Sequence, residues 1–138
     1  MPATGGEAIQ ITRNGGDAPE ESPDGKAVYF LKGWPSRCSV WKVPAGGGEE
    51  TRVLDSVHCM GGWKHNIWEQ GIYFFTPPDG QGHSDIRLYE FATGKTKKIT
   101  SIEQRIDFAI AVTPDGQTIL YTQVDEVGSD LMLVENFR

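Results

Sequence analysis

Two stretches decide the reading of this chain. They are Ser22-Pro23-Asp24-Gly25-Lys26-Ala27-Val28-Tyr29-Phe30 and Thr113-Pro114-Asp115-Gly116-Gln117-Thr118-Ile119-Leu120-Tyr121. Each is a hydroxyl residue, a Pro-Asp-Gly turn and an apolar run. Pro presets one turn position, Asp caps the turn, and Gly accepts a positive φ. The β-branched and aromatic residues that follow read as a strand. A weaker copy, Glu69-Gln70-Gly71-Ile72-Tyr73-Phe74, keeps the Gly and loses the Pro. Pro78-Asp79-Gly80 has the same letters but falls one hairpin later.

Working outward from these turns, other markers recur with them. Tyr29, Tyr73 and Tyr121 stand 44 and 48 residues apart. The pairs Val40-Trp41, Leu88-Tyr89 and Leu131-Met132 recur at intervals of 48 and 43. A third series is Ile9-Gln10-Ile11-Thr12, Thr51-Arg52-Val53-Leu54 and Lys97-Lys98-Ile99-Thr100. A period of about 45 residues made of β-type segments is that of a four-stranded propeller blade.

The expected fold is therefore all-β: a β-propeller with three four-stranded blades in one partial domain over 1–138. With strands lettered a to d from the axis outward, the order is d-abcd-abcd-abc. The closing strand lies at about 8–13 and the blades at about 17–55, 62–101 and 106–138. Second strands are expected at Lys26–Leu31, Ile72–Thr76 and Thr118–Gln123, and third strands at Ser39–Val43, Asp85–Phe91 and Asp130–Val134. Ser101–Ile110 reads as a loop entering an inner strand, because Phe108, Ile110 and Val112 alternate. Three blades cannot close a ring, and an open arc exposes apolar faces and strand edges. Either a longer parent supplies more blades or copies join head to tail. A homodimer giving six blades is favoured, and a homotrimer giving nine comes second.

Composition narrows the partners. The 138 residues carry a net charge of −6, which argues against a nucleic-acid partner. No apolar run reaches the roughly 18 residues of a membrane helix, so membrane insertion is not expected. The start, Met1-Pro2-Ala3-Thr4, has neither a basic nor an apolar leader region and does not read as a signal peptide. Localisation stays open. Cys38 and Cys59 form no C-x-x-C motif and read as two free thiols, with one disulfide as the alternative if the chain is exported.

The two Pro-Asp-Gly strands, together with Val40-Trp41, resemble the blades of bacterial WD-repeat-like propellers of the TolB type. The ending Gly128-Ser129-Asp130-Leu131-Met132-Leu133-Val134-Glu135-Asn136-Phe137-Arg138 looks like the C-terminus of propellers attached to bacterial winged-helix or Ser/Thr kinase signalling proteins. The resemblance implies a propeller over nearly the whole chain. It also implies work in protein–protein interaction or scaffolding, with an unidentified protein partner.

In a propeller the d–a and b–c loops share one face, which ligands and partners usually meet. That puts Trp34, Arg37, His58, Trp63, His65, Asp79, His83 and Arg105 on or near the expected partner-binding face. Trp and Arg are the side chains that binding hot spots favour. His58, Cys59, His65 and His83 have metal-ligating side chains, but their spacing matches no zinc motif. Asp79-Gly80-Gln81-Gly82-His83-Ser84-Asp85 lacks the ligand order of a calcium loop. There is no Gly-x-Ser-x-Gly elbow, and adjacent pairs such as Glu20-Glu21 point to opposite faces of a strand. Ala45-Gly46-Gly47-Gly48 joins two strands rather than cradling a phosphate. The expectation is a non-catalytic module with no cofactor and no metal. The alternative is an enzyme, or a small-ligand or metal sensor, with its site at the central channel around His58, His65 and Asp107.

Overall fold

The computed structural model of the chain describes residues 3–35, 38–59 and 65–125. Arg37, Trp63 and the expected strand Asp130–Val134 lie outside the described residues. Among those described the protein is all-β, with ten strands and no helix. The strands form three antiparallel sheets, and each sheet follows chain order.

The first sheet contains β1 (Asp17–Glu21), β2 (Ala27–Lys32), β3 (Cys38–Pro44) and β4 (Thr51–Val57). The second contains β5 (His65–Trp68), β6 (Gly71–Phe75), β7 (Ser84–Glu90) and β8 (Lys95–Ile102). The third contains β9 (Arg105–Val112) and β10 (Ile119–Val124). The expected second and third strands therefore lie within a residue or two of observed ones wherever the chain is described. Between Ser101 and Ile110 the loop is shorter than expected, because β8 runs to Ile102 and β9 begins at Arg105.

The repeated turns fold alike, bond for bond. In the first, Gly25 N–H donates to the Ser22 carbonyl at 2.8 Å, Ala27 N–H to Ser22 Oγ at 2.9 Å, and Lys26 N–H to Asp24 Oδ1 at 3.1 Å. In the third sheet, Gly116 N–H donates to the Thr113 carbonyl at 2.8 Å, Thr118 N–H to Thr113 Oγ1 at 3.1 Å, and Gln117 N–H to Asp115 Oδ1 at 3.0 Å. Gly25 and Gly116 both have φ of +69°, the left-handed region that only Gly enters without cost. The middle turn is a tight hairpin in which Trp68 pairs with Gly71. There a side chain is excluded for a different reason: a Cβ on Gly71 would lie 1.8 Å from the Tyr89 carbonyl oxygen.

The core lies between consecutive sheets. One layer joins Tyr29, Leu31, Cys38, Val40 and Val57 of the first sheet to Ile67, Ile72 and Phe74 of the second. The other joins Tyr73, Phe75, Ile86 and Leu88 of the second sheet to Ile106 and Ile110 of the third. The alternation of β6 explains both layers: Ile72 and Phe74 face the first sheet, while Tyr73 and Phe75 face the third.

Three expectations change. Cys38 and Cys59 are not free thiols; they form a disulfide with Cα atoms 5.9 Å apart. Residues 8–13, expected as a strand, have no strand assignment, because no described strand of this chain runs alongside them. The N-terminal segment instead crosses the side of the first sheet that faces away from the second. Arg13 N–H donates to Glu50 Oε1 at 3.1 Å, and Gly16 lies against the Phe30 ring. The third correction concerns register. Tyr29 pairs with Glu20 and Tyr73 with Asn66, and the residue that continues this series is Leu120, paired with Ala111. Tyr121 belongs one position on, and its ring packs edge-on against Phe75 at 6.3 Å. A slip of one residue moves a strand side chain to the opposite face.

Candidate functional site

Two places concentrate polar chemistry: the end of the sheets that carries the β2–β3, β4–β5, β6–β7 and β8–β9 connections, and the seams between first strands.

At the loop end, Trp34 follows β2 and is 50% exposed, next to a cis bond to Pro35. The disulfide ties the start of β3 to the segment after β4, so these two connections are held together. His58 is half-buried, and its backbone N–H donates to the Phe75 carbonyl at 2.8 Å. The β6–β7 loop is organised by Asp79. Its Oδ1 accepts from Gln81 N–H at 2.8 Å and His83 N–H at 2.9 Å, which holds the carboxyl below its usual range. The His83 imidazole stands 3.7 Å from the same carboxylate. Arg105 is exposed at the start of β9. Trp34, His58, Asp79, His83 and Arg105 thus belong to connections, or to a strand start, at one end.

His65 differs from that group. It sits on β5, its side chain is wholly buried, and neither ring nitrogen has a hydrogen-bond partner. Burial lowers its pKa to about 4, so the ring is neutral at pH 7. Glu20 Oε2 of β1 lies 3.7 Å from His65 Nε2, too far for a hydrogen bond. Burial raises the Glu20 pKa, and the hydrogen bond that Glu20 accepts from Ile67 N–H opposes the rise.

That last bond is one of a pair. Ile67 N–H donates to Glu20 Oε1 at 2.8 Å, joining the first strands of sheets one and two. Val112 N–H donates to Asn66 Oδ1 at 3.2 Å, joining the first strands of sheets two and three. The acceptors Glu20 and Asn66 are the residues paired with Tyr29 and Tyr73. The donors Ile67 and Val112 are the residues paired with Ile72 and Ile119. The two seams therefore use the same two repeat positions.

Sequence reading missed three groupings. Glu20 reads as half of an exposed acidic pair because its seam partner is 47 residues away. Lys32 bonds Glu50 and lies over the Trp41 ring at 4.5 Å. Asp85 takes Lys98 Nζ at 2.8 Å, Arg87 Nη2 at 3.0 Å and Ser101 Oγ at 2.9 Å, and Lys98 above all holds its pKa down to about 2. Only the alternation of the strands hints at these cross-strand contacts. For the metal alternative, Cys59 is engaged in the disulfide and offers no thiolate. Among the described residues, no three His, Cys, Asp or Glu side chains gather around a common point. Comparison with protein-family models and with curated proteins finds no match to this chain.

Proposed function

We propose that the chain is a three-blade stretch of a TolB-like β-propeller that joins head to tail with copies of itself. In this reading the closed ring is a non-catalytic platform for protein–protein interaction. One observation carries it: equivalent positions are buried at the two seams within the chain and open at its end. Tyr29 and Tyr73 are each 7% exposed, whereas Leu120, the same position of the third sheet, is 59% exposed. The recurrence of the Glu20–Ile67 and Asn66–Val112 bonds supports the same reading, since sheets set at one repeated geometry turn about an axis. Copies that meet through unlike faces form a ring when the rotation closes. The loop end, with Trp34, Asp79, His83 and Arg105, is then the side offered to another protein. A channel-centred catalytic site is less well supported, because one of its two proposed imidazoles, His65, is enclosed in the seam.

Light scattering after gel filtration tests the reading. A mass of twice 15.2 kDa is expected for six blades. Three times that mass keeps the ring with nine blades. A monomer at every concentration overturns the assembly.

A further inference from the structure

We propose that the outward face of the third sheet, centred on Leu120 and Ala111, docks on the outward face of the first sheet of a second copy. We further propose that this seam lacks the side-chain hydrogen bond that ties the seams within the chain. The inference rests on the head-to-tail reading and specifies its contact surface.

The repeat defines both faces. On the third sheet, Ala111 and Leu120 are a pair equivalent to Glu20–Tyr29 and Asn66–Tyr73, the pairs that face the following sheet in each internal seam. Both are exposed. On the first sheet, the surface facing away from the second has a depression of about 580 Å³ lined by Ile9, Ile11 and Val28 together with three glutamates, Glu7, Glu20 and Glu21. An exposed leucine with alanine beside it on one face, and the Ile9, Ile11 and Val28 side chains of the depression on the other, are apolar surfaces that can meet. A second copy brings both to the same seam.

The composition of that seam departs from the internal ones on each side. The acceptor position, Glu20 in the first sheet and Asn66 in the second, is Ala111 in the third, whose methyl accepts nothing. The position after it, Ile67 in the second sheet and Val112 in the third, is Glu21 in the first. The seam between copies thus gives up a hydrogen bond and sets an exposed carboxylate where the internal seams carry an apolar side chain. Such a seam is weaker than those within the chain, so the ring is a reversible assembly of intact three-sheet units.

Sedimentation equilibrium on the full chain tests this with Ala111→Asn, Glu21→Ile and Leu120→Asp, and circular dichroism checks that each variant stays folded. The unmodified chain should associate reversibly, and Leu120→Asp should leave it monomeric with an unchanged spectrum. Ala111→Asn should tighten association by about fivefold per seam, hence about 25-fold for a two-chain ring, the effect of one hydrogen bond at each seam. Glu21→Ile should tighten it independently. If the chain and all variants are monomeric, self-assembly itself is wrong. If the chain associates but Leu120→Asp does not weaken it, the assembly stands and this surface is wrong. If Leu120→Asp breaks it while Ala111→Asn and Glu21→Ile leave the constant unchanged, the surface stands and the missing-bond argument fails.

Discussion

Replacing both cysteines, Cys38→Ala with Cys59→Ala, should lower the melting temperature of this protein by about 10 °C. The disulfide closes a loop between residues 21 positions apart. In the chain-entropy model, opening a loop of that size costs about 3 kcal/mol. The entropy of unfolding, taken at about 2 cal/mol/K per residue over 138 residues, converts this into a drop of about 10 °C. Both sulfurs are buried in the first core layer, so the two small voids add to the loss rather than offset it. Thermal unfolding followed by circular dichroism is the assay. One protein concentration must be used throughout, because the proposed self-association would raise the melting point by mass action. Cys38→Ala alone should fall nearly as far as the double variant, since either change removes the cross-link. In the parent, a thiol-alkylating reagent should label neither cysteine until reductant is added to the unfolded chain. Stoichiometric labelling of the untreated native protein, or a double variant melting within about 2 °C of the parent, would refute the argument.

Gly71→Ala should destabilise by about 3 kcal/mol or more in urea titrations, because the new methyl meets the Tyr89 carbonyl oxygen and the backbone has to move. Gly80→Ala, where nothing lies within 4 Å of the added carbon, is the control and should change stability by less than about 0.5 kcal/mol. Acid should weaken the fold through His65. Its pKa is lowered to about 4 from 6.5, so between those values the unfolded chain takes up a proton that the folded chain refuses. Stability from this group is complete above about pH 6.5 and falls as the pH drops toward 4. Glu20, with its pKa raised by burial, contributes in the opposite direction. Denaturant midpoints measured from pH 7 to 4.5 should slope downward in the parent, and the slope should flatten in His65→Leu.

Much of the sheet order was legible because its signals are local. A Pro-Asp-Gly turn acts over a few residues, and Ser22 and Thr113 cap their turns by the same set of bonds. Strand alternation likewise acts at short range: Ile72, Tyr73, Phe74 and Phe75 announce a strand buried on both faces, as β6 is. Register was less legible. Matching tyrosine to tyrosine set Tyr121 against Tyr29, whereas counting from the turn glycine sets Leu120 there, as the ladder does. Identity misled where position would have served, and one residue decides which face a side chain joins. Glu20 and His65 were illegible for a different reason. They come within 3.7 Å only once two sheets have stacked, and nothing in either local sequence anticipates the other. The disulfide likewise depends on where β3 begins and β4 ends.

In the proposed ring the three seams rank in a definite order. The first has a buried disulfide at its edge, an apolar layer and the Glu20–Ile67 bond. The second has an apolar layer and the Asn66–Val112 bond, with no cross-link. The proposed third, between the outward faces of two copies, would keep Leu120 and the depression beside Val28 but has Ala111 and Glu21 where the bond and the apolar contact would stand. A repeat protein in which each unit touches only its neighbours takes its stability from just these contacts. Strong seams within the chain and a weaker one between copies would let the unit fold alone and still associate as proposed. With equal seams, sheets of different copies would compete for one another's faces during folding, the route to domain-swapped tangles in repeat proteins. In the proposed ring, the departure of Ala111 and Glu21 from the repeat falls at the seam between copies, where a weaker contact keeps the copies separable.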